Sequence, residues 1–158
     1  MHHLTLCQTE AIDTLAHPEV YDHVELASSA LSIFTDFHEH QPLVIDGNVK
    51  AIELERLMRQ SHVKMKLVLD KHEQFVGIVT LADITEQKIL QRVVQLGLPR
   101  SELLVADMMQ PKAALQAFDY HELKVASVKD VVDTLQDNGK MHCLVIDKQQ
   151  HEIRGVIS

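Results

Sequence analysis

The chain of 158 residues contains no tryptophan, and aromatic residues make up only 4% of it. A core built without large rings must rest on Val, Leu, Ile, Ala and Met. Cysteine is equally scarce. Cys7 and Cys143 stand apart with no Cys-x-x-Cys pair, which argues against a disulfide framework and against a zinc knuckle. No apolar run nears the roughly 20 residues that span a bilayer. The opening Met1-His2-His3-Leu4 lacks the charged region and apolar stretch of a secretory signal, so a cytoplasmic location is expected. Basic residues are outnumbered, 15 Lys and Arg against 23 Asp and Glu, for a formal net charge of -8. They form no run, so the overall field repels nucleic acid and anionic membrane. A few well-placed donors still suffice to hold a phosphate locally. Catalytic signatures are missing as well: no Gly-x-Ser-x-Gly elbow, P-loop, Gly-x-Gly-x-x-Gly or His-Glu-x-x-His. No catalytic residue is assigned, and the chain reads as a non-enzyme.

What is present is an ordinary globular balance, 46% apolar and 24% charged, in a length that suits one compact body. Residues 1–41 are irregular and read as an N-terminal extension packed on the main body. Within it Thr9 to Leu15 is predicted as a short helix, stopped before Pro18 by the restriction on residues preceding proline. Ala30 to Phe34 fits strand or helix equally. Beyond Pro42 the pattern sharpens. Leu43-Val44-Ile45 ends at the turn signal Asp46-Gly47-Asn48. Ile52, Leu54, Leu57 and Met58 follow at near-helical spacing. Met65 to Leu69 and Phe75 to Val79 read as two strands joined by the polar loop 70–74. A helix is predicted from Leu81 to Leu96, with Gly97 and Pro99 as its stop.

The order then recurs. A helix over Val125 to Asp137 ends at Asn138-Gly139, and the strand Cys143 to Ile146 follows. A polar loop over 147–151 and a strand from Ile153 to Ser158 complete the second copy. Laying Leu67-Val68-Leu69-Asp70 on Leu144-Val145-Ile146-Asp147 sets an offset of 77 residues (Asp70 to Asp147). The same offset carries Leu54 to Val131 and Met58 to Leu135, all expected to face the core. One more loop residue carries Gly77-Ile78-Val79-Thr80 onto Gly155-Val156-Ile157-Ser158. Such a unit closes its own core poorly, so two copies should pack face to face, with function in the clefts between them.

These residues resemble the CBS domain family. Its recurrent pattern is an apolar strand closing in hydrophobic-Asp, a turn, then Gly-hydrophobic-hydrophobic-Thr/Ser with an Asp three residues later. The first copy carries Leu67-Val68-Leu69-Asp70 and Gly77-Ile78-Val79-Thr80-Leu81-Ala82-Asp83. The second carries Leu144-Val145-Ile146-Asp147 and Gly155-Val156-Ile157-Ser158. Between them, Val105-Ala106-Asp107-Met108-Met109-Gln110-Pro111 is similar to the lead-in before many CBS repeats, with Gln110 in place of the usual Thr. The resemblance spans about residues 42–158. It implies an α+β fold of two βαββα-like repeats related by a pseudo-two-fold axis, a Bateman module with repeats at 42–97 and 98–158. It also implies a homodimer.

The resemblance further implies a site for an adenosine-type nucleotide: AMP, ADP, ATP or S-adenosylmethionine, none of them required as a cofactor. Asp83 would accept from the ribose hydroxyls, as two carboxylate oxygens suit a vicinal diol. Thr80 would sit beside it, opening a helix whose free backbone donors favour an anion. Gly77 and Ile78 precede it on the strand. Lys64 and Met65, and Met141 and His142 in the second copy, lead into the middle strands where phosphates are met; Lys64 and His142 are the polar members. Ser158 is the counterpart of Thr80. The sequence stops there, so the second Asp and the last helix of that repeat are absent, which leaves an apolar face expected to need a partner. Taken alone, Thr80-Leu81-Ala82-Asp83, like Ser127-Val128-Lys129-Asp130, is more often a helix N-cap with a reciprocal acid than a ribose clamp. Gln110 in the lead-in and the missing Asp of the second copy favour the alternative reading, a ligand-free dimerisation or interaction module. A metal-responsive role is a third, from the 11 histidines, but His38-Glu39-His40 and His2-His3 come with no third ligand, and no metal site is assigned. Cys143, on a strand read as buried, is expected to be inert.

Overall fold

The computed structural model describes residues 4–16 and 25–157. Two four-stranded sheets face one another. The first copy supplies β2 (Val44–Asp46), α1 (Ala51–Ser61), β3 (Met65–Leu69), β4 (Phe75–Thr80) and α2 (Glu86–Leu96). Short helices α3 (Val105–Met108) and α4 (Tyr120–Leu123) flank the linker strands β5 (Gln110–Pro111) and β6 (Ala117–Asp119). The second copy continues with α5 (Val128–Asp137), β7 (Cys143–Asp147) and β8 (Glu152–Ile157). Ahead of them all lies β1 (Phe34–Asp36), entered through a 3-10 turn at Ala30–Ile33, so of the ambiguous segment only Phe34 joins a strand.

The sheet orders are β2-β3-β4-β5 and β1-β8-β7-β6. Each middle pair is an antiparallel hairpin, with the β2–β3 and β6–β7 pairs parallel. The outer strands exchange. Strand β1, which precedes the first copy, pairs with β8 of the second, while β5, which precedes the second copy, pairs with β4 of the first. The two hairpins match in detail. Their ladders shift register after Val68 and after Val145, and Glu73 and His151 take left-handed backbones at φ 60° and 52°. Asp70 Oδ1 accepts from the N–H groups of His72 and Gln74, and Asp147 Oδ1 from those of Gln149 and Gln150. These carboxylates hold turns.

Three apolar layers follow from the pattern. Leu54 and Met58 of α1 pack with Val68, Val79, Ile84 and Val105, and Val131 of α5 packs with Ala30, Leu123, Val145 and Ile157. Between the sheets, Leu67 and Ile78 of one copy meet Leu144 of the other, joined by Phe37, Met65, Phe75, Leu115 and Ile153. The copies therefore pack face to face. Two helices depart from expectation. Thr9 to Leu15 contains only a turn at Ala11–Ile12; Ile12 and Leu15 are exposed, and so short a segment without a buried face cannot offset the cost of nucleation. The helix predicted over 81–96 is broken at Thr85, which has extended backbone and accepts from Lys88 N–H to cap α2. Leu81–Ile84 is a separate 3-10 turn. Likewise α5 starts at Val128, capped by Ser127, and Val125 is exposed.

The exchanged strands explain the glycines that begin the returning motif. A Cβ on Gly155 would lie 2.0 Å from the Thr35 carbonyl oxygen, and one on Gly77 would lie 2.4 Å from that of Gln110. Only glycine lets the foreign strand pass so close. Strand β1 is also clamped by charge: Arg154 donates from Nε to Asp36 Oδ1 at 2.8 Å and from its terminal nitrogen to Oδ2 at 3.0 Å. The guanidinium lies 4.3 Å over the Tyr120 ring. Those hydrogen bonds from Arg154 hold the Asp36 carboxyl below the usual carboxylate range. Gly155→Ala is predicted to destabilise the protein by about 3 kcal/mol, since the clash is with backbone that cannot rotate away. Urea unfolding of the variant beside wild type measures it; a change under about 0.5 kcal/mol, typical of open surface, would count against the close crossing.

Candidate functional site

Where the faces diverge, two clefts open between the copies. The first, of about 470 Å³, is walled by Ile78, Thr80, Leu81, Ala82 and Asp83 from the end of β4, with Lys64, Lys88 and Gln110 nearby. Its opposite wall is Leu115, Gln116 and the segment 139–144. The second, of about 550 Å³, is lined by Thr35, Phe37, Gln41, Leu43, His62, Val63, Met65, Leu67 and Val156. Lys64, Met141 and His142 line both, so they form a shared partition. Both volumes fall within the range of small-molecule sites.

The sequence-selected residues distribute unevenly. Thr80, Asp83, Ile78, Lys64 and His142 converge on the first cleft. Met65 faces the second instead. Gly77 lies under β5 and lines neither cleft, because its role is to admit the crossing strand. Ser158 lies outside the described residues, as do His2 and His3. Sequence reasoning missed Lys88, Lys140, Leu115 and Gln116, which reach the first cleft from α2 and from the segments before β7 and β6. Lys88 lies in the first turn of α2. The break at Thr85 resets the helix and leaves its ammonium 4.0 Å from Asp83 Oδ1, more than half exposed.

Asp83 is buried, 8% exposed, and heavily bonded. Its Oδ2 accepts from the Thr80 N–H at 2.8 Å and from the Thr80 hydroxyl at 2.9 Å. The Gln110 amide nitrogen donates to Oδ2 at 3.0 Å and reaches Oδ1 at 3.2 Å. The cap reading and the site reading thus concern one carboxylate, which closes the 3-10 turn and faces the cleft. The turn spans only four residues, so the anion preference of a long helix N-terminus does not arise at Thr80. The charges around this carboxylate are cationic: Lys64, Lys88 and Lys140 line the same cleft.

On the partition, His142 Nδ1 is buried and has no hydrogen-bond partner. Burial, reinforced by the Lys64 charge and opposed by Asp83, holds its imidazole below the ordinary histidine value. Burial likewise pushes the Cys143 thiol up, which leaves it protonated and unreactive. His38 pairs with Glu152 on the surface. Among the described residues no three His, Cys, Asp or Glu gather as a metal site, and no helix is long and apolar enough to cross a membrane.

The CBS domain family matches residues 34–89, from β1 into α2. Those residues form a CBS domain. The second copy repeats the same hairpin, parallel strand and exchanged strand, which makes the chain a CBS pair in architecture. Solved structures agree. A conserved protein from Pyrococcus horikoshii superposes with a TM-score of 0.58 at 19% identity, covering 85% of this chain and 88% of that one. CBSX2 in complex with AMP gives 0.56 at 16%, covering 83% and 90%. The CBS domain pair of MJ0100, in complex with 5-methylthioadenosine and S-adenosyl-L-methionine, gives 0.53 at 14%, covering 83% and 92%. At such identities the likeness is one of fold. No curated protein matches the chain.

His142 generates a prediction about stability. In the unfolded chain its imidazole takes up a proton as pH falls through about 6.5, while the folded imidazole resists until lower pH. The unfolded state then binds more protons, so stability falls as pH drops through that window and is unaffected by this group above it. His142→Gln should flatten the loss between pH 7.5 and 5.5 in urea titrations; an unchanged slope would contradict the buried neutral assignment.

Proposed function

We propose that this CBS pair is a regulatory module that binds an adenosine-type nucleotide in the Asp83 cleft. The observation that carries the reading is the union, in one cleft between the copies, of a buried carboxylate with three lysines. A carboxylate suits a ribose diol. Lysines suit phosphates as mobile point charges. The apolar wall of Ile78, Leu115 and Leu144 suits the face of a base. In a chain of net charge -8, such local positive charge answers a specific anion rather than a general field. The adenosine ligands of CBSX2 and of the MJ0100 pair support the ligand class. AMP, ADP, ATP and S-adenosylmethionine are the compounds to try, and three lysines favour the phosphorylated ones over the sulfonium cation.

Regulation follows from the position of the cleft. Asp83 and Lys64 belong to one copy, Lys140 and His142 to the other, so a ligand touching both favours one angle between them. An anion beside His142 would also favour its imidazolium. The complex then binds more protons than the free protein, and affinity for a phosphorylated ligand is expected to rise as pH falls from 8 to 6. A regulated partner protein would read the change in angle. The same reading places the protein in the cytoplasm as a homodimer. Leu90 and Val94, one turn apart on α2, are 52% and 81% exposed, which supports a helix-mediated contact between two chains.

A second reading has its own observation. Asp83 is already satisfied within the chain by Thr80 and Gln110, as suits a ligand-free interaction module. Isothermal titration of AMP, ATP and S-adenosylmethionine separates the two. Wild type should bind AMP or ATP, and Asp83→Ala should bind at least tenfold more weakly, a loss of about 1.4 kcal/mol. Lys64→Met should weaken AMP but spare adenosine. No heat from any ligand, with the proteins folded by circular dichroism, would sink the nucleotide reading and favour the interaction module.

A further inference from the structure

The two exchanged strands differ at one telling position. Thr35 of β1 sits opposite Val156, and Gln110 of β5 sits opposite Ile78. Val156 and Ile78 are counterparts in the repeat, so Thr35 and Gln110 are counterparts too, one lining each cleft. Where one strand presents a short hydroxyl, the other presents a long amide. Its nitrogen lies 3.0 and 3.2 Å from the two oxygens of Asp83. An amide nitrogen carries two N–H donors, and a vicinal diol carries two O–H donors.

We propose that Gln110 is a built-in stand-in for the ribose diol, a side chain that occupies Asp83 in the free protein and sets how much the ribose contributes to binding. This inference rests on the nucleotide reading of the Asp83 cleft. Oδ2 already takes both Thr80 donors, and with Gln110 it takes a third, which fills its acceptor capacity. Oδ1 keeps acceptor capacity, but a diol that engages both oxygens must displace the amide that bridges them. The exchange sets the ribose's charge-assisted bonds against the amide's, so the amide offsets part of what the ribose contributes in the wild type. The backbone cannot yield in its place, because the Gln110 carbonyl is seated against Gly77 and β5 is paired to β4. The side chain is half-buried at the cleft rim and is the part free to swing.

Gln110→Thr installs the counterpart residue and keeps the strand, and Gln110→Ala removes the donor outright. Both should bind AMP about tenfold more tightly than wild type, the scale of one hydrogen bond to a charged group. Their preference for AMP over 2′-deoxy-AMP should widen by a similar factor. In the 15N spectrum of the free protein, the Gln110 side-chain amide should be shifted from the free-glutamine position, and AMP should return it there. Tighter binding with a wider ribose preference supports the inference. It is overturned if wild type binds AMP through Asp83 while the Gln110 variants bind it equally or more weakly; the nucleotide reading then stands, with Gln110 as a ligand contact or a bystander. If neither wild type nor variants bind AMP, ATP or adenosine, both fall.

Discussion

The exchange of lead-in strands is the constraint on which the rest of this molecule depends. Each sheet is completed by a strand that belongs, in chain order, to the other copy: β1 on β8 and β5 on β4. Neither hairpin keeps its outer edge covered without the other copy, and an uncovered edge is a liability that folds suppress. The price is local crowding, met by Gly77 and Gly155, where the foreign carbonyls pass. The Asp36–Arg154 pair then fastens the longer of the two crossings, and its two parallel bonds fix direction as well as proximity.

The clefts are a consequence of that exchange. The sheets meet through Leu67, Ile78 and Leu144 and diverge beyond them, where each crossing strand leaves one residue on the rim. In one cleft that residue is Thr35, in the other Gln110. Copies that share a backbone plan thus offer different chemistry. One brings together a buried carboxylate, three lysines and an amide, and the other has a mostly apolar lining around Phe37, Met65 and Leu67. Between them Lys64 and His142 belong to both, so a charge placed in one cleft is felt at the wall of the other, across a distance that solvent screens weakly when groups are partly buried.

Much of this plan was legible in the residues. The 77-residue offset, the apolar strands ending in Asp70 and Asp147, and the helix faces of Leu54 and Val131 each follow from short-range periodicity. They appear in the structure at those positions. The convergence of Thr80, Asp83, Lys64 and His142 on one cleft was legible only through a family pattern, because nothing in their spacing brings residues 64, 83 and 142 together. Lys88 and Lys140 escaped notice for a related reason. A lysine on a helix or in a loop looks alike wherever it points, and the break at Thr85 that aims Lys88 depends on one β-branched cap.

By itself the sequence determined the local elements: which segments form strands and helices, where glycine and capping residues end them, and that the unit occurs twice. These are decided by contacts between near neighbours, and period and turn chemistry record them. Only the tertiary structure decided which sheet each lead-in strand joins, why Gly77 lies under a foreign backbone, and that Gln110 reaches Asp83. A strand of two or three residues is too short to carry a readable period, and its partner lies dozens of residues away. Its place is set by which sheet edge remains open once both hairpins have packed.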